Sequence, residues 1–497
     1  MDTPQHDRPS DSAEGGSPKE RLYIKTFGCQ MNEYDTQKLI QLLSSRYRLV
    51  DEAVDADLIL LNTCSVRERP EQKLYSMLGS FTELREARPN LLIGVGGCVA
   101  QQEGERIVKR SKNVDFVFGT HNLSLVPSLV QLRKDGAPPQ VAVDYRDDWE
   151  ELPPGFHEPN RVSVFVSISR GCNKNCSYCI VPTTRGKEVS RSLAEILKEI
   201  RISVHRGARE VVLLGQTVNS WGLDFSPRLR FAHLIEEVAK IDGVERIRFT
   251  SPHPQEIRED FIELMAQNPK VCRHVHMPLQ SGSDRILRLM NRNYRSKRYL
   301  EIIDALKARV PEIAISTDII VGFPGETDAE FRETLAVMDR VDFATSYSFM
   351  FSPRPGTTAA LMEDDVPPAV KLARLQELQA KQEVMTQRWF GSWVNTEQEV
   401  LLEGPSSTDN TILMGKNHQN FTINLNQHEP TLRPGMIIMA KVIAKGRNTL
   451  RGEFRTLVKD CAGGKEARSS GMVVQLEDAQ GTSQVNPDEN GFEMQRP

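Results

Sequence analysis

Three cysteines stand close together near the middle of the chain, at Cys172, Cys176 and Cys179, shortly after an apolar run. This spacing presents three thiolates to one metal cluster. An iron–sulfur cube usually takes four protein thiolates, so a three-cysteine loop leaves one iron open to another ligand. A zinc knuckle is the alternative, but zinc patterns call for a second Cys or His pair within about 20 residues, and none follows there. The loop therefore indicates an iron–sulfur cluster with an open site.

Three further cysteines, Cys29, Cys64 and Cys98, each follow a predicted strand. Ligands of parallel sheets bind at the carboxyl ends of the strands, so we expect these thiols to converge in space. Each also precedes a predicted helix start, which favours the thiolate form. The alternative is that each is a small buried apolar residue, the usual fate of a free cysteine. We predict that structural role for Cys272 and Cys461, which have no partner motif.

The elements that must position these cysteines alternate between short apolar strands and helical patterns. A first unit, residues 20–150, is predicted to be a parallel α/β domain with strands at 22–27, 58–61, 91–95 and 116–118. A linker then follows, and we place its boundary near residue 155. The linker is marked by Pro138, Pro139, Pro153, Pro154 and Pro159.

A second unit, residues 156–388, repeats the strand–helix pattern six times. Helical segments such as 193–205 and 297–308 separate strands predicted at 162–168, 211–214, 246–250, 274–277, 313–320 and 344–349. Six repeats suggest a partial, TIM-like (β/α)6 barrel. Sites in such barrels lie on the loops after the strands, and the Cys172 loop follows the first strand as that rule requires.

Three more strand-end loops carry polar groups that face the same predicted opening. We predict that Gln216, Gln280 and Asp318 contact the molecule bound at the open iron. The alternative is that these loops hold only turn residues, with Gly and Pro setting the backbone. His253 and His276 lie nearby, and we interpret both as hydrogen-bonded structural groups.

A row of arginines follows the loop at 278–283. Arg285, Arg288, Arg292 and Arg295 are spaced three, four and three residues apart, so on one helix they would share a face. Such a face beside a catalytic opening could contact phosphate or other anionic groups. A solvated charged surface is the alternative.

The last ordered segment, residues 392–459, has short β-type runs and is predicted to be a small β-barrel. Its final part carries seven basic residues against only Glu453. Basic β-barrels of this size commonly bind RNA, and the alternative is a solubilising surface. The basic residues are Arg433, Lys441, Lys445, Arg447, Arg451, Arg455 and Lys459.

Length and composition limit the remaining possibilities. The 497 residues should form two to four domains, and a net charge of −4 predicts no overall attraction to nucleic acid, so RNA must be bound by local basic patches. No apolar run reaches the length of a membrane span and the N-terminus lacks a signal peptide's apolar core, which predicts a cytoplasmic protein. Residues 1–19 and 462–497 are polar and are predicted to be disordered tails.

Taken together, the chain resembles the radical S-adenosylmethionine (SAM) methylthiotransferases, and within them the MiaB type. This resemblance covers the whole ordered chain. It is carried by Thr26–Asn32, Leu61–Arg67, Gly96–Gln101, Arg170–Cys179, Thr184–Arg191, Leu279–Arg285, Ile320–Thr327 and Ser352–Thr357.

The resemblance implies two 4Fe–4S clusters and two SAM molecules. Cys172, Cys176 and Cys179 would hold the cluster that cleaves SAM to a 5′-deoxyadenosyl radical, and Gln216, Gln280 and Asp318 would contact SAM. Cys29, Cys64 and Cys98 would hold an auxiliary cluster that provides or carries sulfur, to which a second SAM gives a methyl group. The C-terminal barrel would be a TRAM domain.

The implied substrate is an isopentenylated adenosine next to the tRNA anticodon, at position 37, and the product is its 2-methylthio derivative. An aromatic C–H has no useful acidity for a side-chain base, so a radical is required. An electron donor such as flavodoxin or ferredoxin is the expected partner, and the protein is expected to be a monomer.

Other readings stay open at this point. Sister families modify a threonylcarbamoyl adenosine in tRNA or an aspartate of a ribosomal protein, although Gln30–Asn32 favours the isopentenyladenosine type. The segment Leu413–Asn420 departs from the usual bacterial TRAM pattern, which has an arginine after the glycine. A different class of function is an iron–sulfur RNA-binding or electron-carrying protein without SAM chemistry, but an electron carrier would close its cluster with four protein ligands.

Overall fold

Six parallel strands form the first sheet in the computed structural model, which describes residues 19–65, 70–146, 149, 160–406, 409–427 and 429–461. Apart from Lys19, both predicted tails lie outside the described residues, as does part of the proline linker. The spatial order of the sheet is β2-β1-β3-β4-β5-β6. Its strands are β1 (Glu20–Thr26), β2 (Tyr47–Leu49), β3 (Leu58–Thr63), β4 (Leu92–Gly97), β5 (Phe116–Phe118) and β6 (Gln140–Ala142).

Helices cover both faces of this sheet, as expected for parallel strands that are buried on both sides. Alternate residues of β3 show this, because Leu58 and Leu60 pack into one apolar core while Ile59 and Leu61 pack into another. The four predicted strands are present. The prediction missed β2 and β6, which are three-residue strands at the two sheet edges with no apolar run. The helices are α1 (Gln30–Leu43), α2 (Pro70–Ser80), α3 (Thr82–Ala87), α4 (Cys98–Glu103), α5 (Glu105–Arg110) and α6 (Val126–Lys134).

The second unit has the predicted six strand–helix repeats, and its strands form two three-stranded parallel sheets. The orders are β11-β10-β7 and β12-β13-β14, and a bridge between Ile247 and Val271 links the two sheets. A small hairpin, β8 with β9, sits beside them. The strands are β7 (Ser163–Ser167), β8 (Ser169–Arg170), β9 (Val189–Ser190), β10 (Glu210–Leu214), β11 (Arg246–Phe249), β12 (His274–His276), β13 (Ala314–Val321) and β14 (Thr345–Met350).

The helices of this unit pack on the strands through one large apolar core that includes Val166, Leu213 and Ile319. Helix α8 begins at a Ser192 cap whose hydroxyl accepts from the Glu195 N–H, which satisfies one of the free amides of the first turn. The helices are α7 (Val181–Arg185), α8 (Leu193–His205), α9 (Phe231–Ala239), α10 (Glu259–Gln267), α11 (Asp284–Leu289), α12 (Ser296–Arg309), α13 (Asp328–Val341) and α14 (Pro368–Trp393).

The predicted C-terminal barrel is confirmed as a closed five-stranded barrel in the order β15-β16-β17-β19-β18. Closure leaves no free sheet edge, and the interior is filled by apolar side chains such as Val400, Ile423 and Ile438. Helix α14 connects this barrel to the second unit and packs against both β14 and β18. The strands are β15 (Glu397–Pro405), β16 (Leu413–Lys416), β17 (Thr422–Leu425), β18 (Met436–Lys445) and β19 (Leu450–Asp460).

Two arginines of β11 attach this barrel to the second unit. Arg248 donates from Nη2 to the Asn417 carbonyl at 2.7 Å and from Nε to Glu210 at 2.7 Å. Arg246 donates to the Lys416 carbonyl and to Glu399. The segment that departs from the usual TRAM pattern therefore lies at this contact. Among the described helices, none combines the length and the apolar character needed to cross a membrane.

Candidate functional site

The cysteine loop lies at the carboxyl end of β7, after the short strand β8, and runs into α7. Its start requires Gly171, whose φ is +70° and where an added Cβ would lie 2.0 Å from the Lys187 carbonyl oxygen. The Cys172 N–H donates to the Gly186 carbonyl at 3.1 Å, and the Cys172 sulfur lies 3.5 Å from the Thr217 hydroxyl on the loop after β10. The loop is thus held against two neighbouring strand ends.

A cavity of about 290 Å³ opens at these strand ends and is lined by Cys172, Cys176 and Cys179 together. Gln216, Gln280 and Asp318, the three residues predicted to contact the ligand, line the same cavity. The structure therefore brings all six residues to one place. Other parts of the wall are Lys174, Ile180, His253, Arg292, Ile320, Phe349, Phe351 and Arg354.

The three predicted contact residues differ in what they offer. Gln216 Oε1 is buried and has no hydrogen-bond partner among the described residues, so it is free to pair with a bound molecule. Gln280 has a positive φ of 70°, and its N–H donates to the Asp318 carbonyl at 2.8 Å. Asp318 Oδ2 lies 3.2 Å from His276 Nε2. The cavity thus holds polar groups fixed by neighbouring strands.

Both nearby histidines are hydrogen-bonded. His253 lines the cavity and accepts at Nδ1 from the Gln255 N–H at 3.2 Å, while His276 Nδ1 lies 3.0 Å from the Ser316 hydroxyl. Burial lowers the pKa of His253 to about 2, and Arg292 acts in the same direction. His253 is therefore neutral at physiological pH.

The predicted helical row of four arginines is wrong. Helix α11 ends at Leu289, because Asn291 takes a positive φ of 54° that turns the chain. Arg292 then points inward, is buried, and donates from Nη1 to the Cys176 sulfur at 3.3 Å. Arg288 is exposed, and Arg285 instead pairs with Glu330 at 2.7 Å. Only Arg292 of the row belongs to the cavity, and its place there could not be read from charge spacing.

The second group of cysteines lies at the ends of three adjacent strands. Cys29 follows β1 and caps α1, Cys64 follows β3, and Cys98 begins α4 directly after β4. Cys64 packs closely against the residue before Cys29, since a Cβ added to Gly28 would lie 2.2 Å from the Cys64 Cβ. The predicted convergence of strand ends is therefore present in the structure.

The electrostatics of this group centre on Arg185, which the sequence reasoning missed. A hydrogen bond with Cys64 and the charge of Arg185 lower the pKa of the Cys29 thiol to about 6. Burial raises the pKa of Cys98, and Arg185 opposes that effect. Arg185 lies at the end of α7, only six residues after Cys179.

The donor sets suit iron–sulfur clusters. Each site offers three thiols, and burial together with the nearby Cys176 raises the pKa of Cys179 to about 12, so its thiolate needs the positive charge that bound iron supplies. No three His, Cys, Asp or Glu side chains of the described ranges lie close enough to share a single metal ion. Thiolates that bind different irons of one cube stand further apart than ligands of a single ion.

The two cysteine groups adjoin. Ser65, which follows Cys64, lines the same cavity as the Cys172 loop. In addition, the Thr120 hydroxyl of the first unit donates to the Thr184 carbonyl of α7 at 2.7 Å. The helix that follows the loop is therefore fastened to the cysteine-bearing sheet.

A partial barrel with a three-cysteine loop after its first strand defines a radical SAM protein. The model of the Radical SAM superfamily matches residues 166–338, and that of the Uncharacterized protein family UPF0004 matches residues 21–119. Among solved structures, the radical S-adenosylmethionine methyltransferase TsrM from Kitasatospora setae, with cobalamin and a [4Fe-4S] cluster bound, has a TM-score of 0.52. The alignment covers 69% of this chain and 74% of TsrM at 14% identity, so the likeness concerns the fold.

Two similar proteins identify the family within the radical SAM proteins. The tRNA-2-methylthio-N(6)-dimethylallyladenosine synthase of Paraburkholderia phytofirmans is 45% identical over 89% of this chain and 98% of that protein. The protein of the same name from a Janthinobacterium species is 44% identical over 88% of this chain and 99% of its own. The chain belongs to the family of tRNA-2-methylthio-N(6)-dimethylallyladenosine synthases. Its cofactors are accordingly SAM and 4Fe–4S clusters, and membership favours this enzyme class over an iron–sulfur protein without SAM chemistry.

Proposed function

We propose that this protein attaches a methylthio group to N6-dimethylallyladenosine in tRNA, at position 37 beside the anticodon. The observation that carries this proposal is the shared cavity, because Ser65, next to Cys64, and the three loop cysteines line the same space. A base in that cavity would lie between the source of the radical and the source of the sulfur.

Within the proposal, Cys172, Cys176 and Cys179 hold the radical SAM cluster, and Gln216, Gln280 and Asp318 contact SAM. With SAM bound, a 4Fe–4S cluster of this type supplies a radical able to take hydrogen from an unactivated carbon. The chain's own residues orient the reactants and exclude water. Arg292, donating to the Cys176 sulfur, offsets the negative charge of the thiolates.

Cys29, Cys64 and Cys98 hold the auxiliary cluster in the same proposal. Arg185 lies against Cys29 and Cys98 and is fixed by Asn32 and Asp35 at 2.8 and 2.9 Å. Since Cys29 is exposed whereas Cys64 and Cys98 are buried, this site reaches the protein surface on one side.

The wall of the cavity also bears on the choice of substrate. Ile320, Phe349 and Phe351 present apolar surface, which suits burial of a dimethylallyl group. Bases in single-stranded loops can also be unstacked into a protein pocket.

The test is an anaerobic reconstitution with SAM and reductant on tRNA from cells that lack this activity, followed by digestion and mass spectrometry. We expect 2-methylthio-N6-dimethylallyladenosine to appear. Cys176→Ala should abolish SAM cleavage and product alike, whereas Cys98→Ala should retain SAM cleavage and lose only the product. A methylthio group found only on threonylcarbamoyl adenosine or on a ribosomal protein would refute the substrate.

Three further expectations remain predictions within this proposal. The reductant in the cell is an electron donor such as flavodoxin or ferredoxin, the protein acts as a monomer, and it works in the cytoplasm. The domain boundaries at 20–150, 156–388 and 392–459 likewise remain predictions.

A further inference from the structure

A groove of about 890 Å³ runs beside the cavity, between β14, α14 and the turn that joins β18 to β19. Phe349 lines both the groove and the cysteine cavity, so the two spaces meet at this side chain. Strand β14 is the last strand of the partial barrel and lies at its open edge. The groove therefore adjoins the proposed reaction site at Phe349.

Two aromatic rings line this path and are exposed. Tyr347 is 59% exposed and Phe349 is 37% exposed, which is unusual for large rings on a barrel strand. Residues two apart on a strand point to the same side and stand about 7 Å apart. The Tyr347 ring also packs edge-on against His276, with centroids 5.8 Å apart, so it is held beside the Asp318–His276 pair.

The groove also has a charged lining, with one basic and one acidic side chain. Arg447 and Asn448 of the β18–β19 turn line it, and Arg447 is exposed and forms no ion pair within the described part of the chain. The turn is fixed against α14, because Gln387 donates to the Arg447 carbonyl at 3.0 Å and Lys445 donates to the Gln387 carbonyl at 3.0 Å. Glu383 is the acidic residue in the lining.

Only part of the basic surface predicted for this barrel is available to an anion. Arg433, Arg455 and Lys459 pair with Asp460, Glu453 and Glu245. Among the described residues, Arg447 is thus a basic residue that has no acidic partner and that lies in the groove adjoining the cavity.

We infer that this groove binds the single-stranded nucleotides that flank the reacting adenosine, with bases stacked on Tyr347 and Phe349 and a phosphate at Arg447. A row of aromatic rings ending in a cation is the general design of a single-stranded nucleic-acid groove. The inference rests on the proposed function for the identity of the RNA, and it adds the surface and the residues that hold the loop.

The test measures the affinity of the reconstituted full-length protein for a fluorescein-labelled RNA hairpin whose loop carries the adenosine, by fluorescence anisotropy. We expect Tyr347→Ala to weaken binding by about tenfold, within the range for loss of one stacked base, and Tyr347→Phe to bind as the wild type does. Arg447→Ala should weaken binding and reduce the dependence of log Kd on log salt by about 0.7. Leu132→Ala, which removes an exposed apolar side chain of α6, is the matched control and should have no effect.

Affinities of Tyr347→Ala and Arg447→Ala within twofold of wild type would overturn the inference. A second measurement does not depend on variants: photo-cross-links from a 4-thiouridine in the loop should fall in peptides containing 345–349 or 446–449, and cross-links confined to other peptides would overturn it. Both readouts are independent of product formation. If the protein binds RNA in this groove but does not methylthiolate it, the proposed function is refuted and the inference about the groove is retained.

Discussion

Arg185 Nη2 lies 2.9 Å from Asp35 Oδ2, and this ion pair joins the helix after the radical SAM cysteine loop to the first helix of the cysteine-bearing sheet. The two side chains are only 6% and 10% exposed. Because the same guanidinium also faces Cys29 and Cys98, one buried arginine both fixes two units together and supplies positive charge to the second cysteine group.

Removing this arginine should therefore be costly. We expect Arg185→Met to lower the free energy of unfolding by about 3–5 kcal/mol, because Asp35 is left as a buried charge without its partner. Urea denaturation of the apoprotein measures the change. The double variant Arg185→Met/Asp35→Leu should recover a large part of the loss, and a double variant no more stable than the single one would contradict this explanation.

Gly28 tests the close packing of the turn before Cys29 against Cys64. Gly28→Ala would place a Cβ 2.2 Å from the Cys64 Cβ at a φ of +103°, so we expect the auxiliary site to be distorted and iron content to fall from about eight to about four atoms per chain. Gly136→Ala is the matched control, since its φ is +88° but nothing lies within 4 Å of the added atom. About eight iron atoms per chain in both variants would show that the cluster forms despite the added Cβ and would contradict this prediction.

Arg292 should tune the cluster proposed at the Cys172 loop. The potentials of iron–sulfur clusters depend on net charge and on hydrogen bonds to sulfur, and Arg292 contributes both at Cys176. We expect Arg292→Gln to lower the reduction potential of this cluster by tens of millivolts, measured by a redox titration followed by electron paramagnetic resonance. Arg288→Gln, which changes an exposed arginine four residues earlier, should leave the potential unchanged.

Glu188 gives a pH dependence of known sign. Burial raises its pKa from 4.5 to about 7, with opposing hydrogen bonds from Asn173 and Ser220. Between pH 4.5 and 7 the Glu188 carboxyl is more protonated in the folded protein than in the unfolded chain. The contribution of Glu188 to stability is therefore greatest below pH 4.5 and is lost as the pH rises to 7. Glu188→Gln removes this titration. The free energy of unfolding of this variant, relative to that of the wild type, should therefore rise by about 2–3 kcal/mol between pH 4.5 and pH 7, as measured by denaturation midpoints. A constant difference between the two proteins would show that Glu188 does not titrate in this range.

Much of the site follows from sequence because parallel strands align their carboxyl ends. The apolar runs before Cys29, Cys64 and Cys98 predict three such strands, and the rule for strand ends then predicts that the cysteines meet. The same reasoning places Gln216 and Asp318 beside the Cys172 loop. These predictions need only the periodicity of single segments and one topological rule.

Contacts that depend on a local reversal of the chain, or on a partner in a distant unit, could not be predicted from the sequence. Arg292 enters the cavity because Asn291 adopts a left-handed conformation, and the even spacing of arginines gives no hint of that turn. Arg185 reaches Asp35 across 150 residues. Nothing in the local pattern around either residue signals that its partner lies in another unit.

The attachment of the C-terminal barrel has one more consequence. Arg248 holds this barrel by the carbonyls of Asn417 and His418, and Arg246 uses the carbonyl of Lys416. These three contacts use main-chain oxygens and do not depend on the side chains that the segment carries, although the side chains of Asn417 and Gln419 are buried and hydrogen-bonded nearby. The joint therefore depends on the backbone path at 416–418, so a substitution in this segment that keeps that path should leave the barrel in the same position against the second unit.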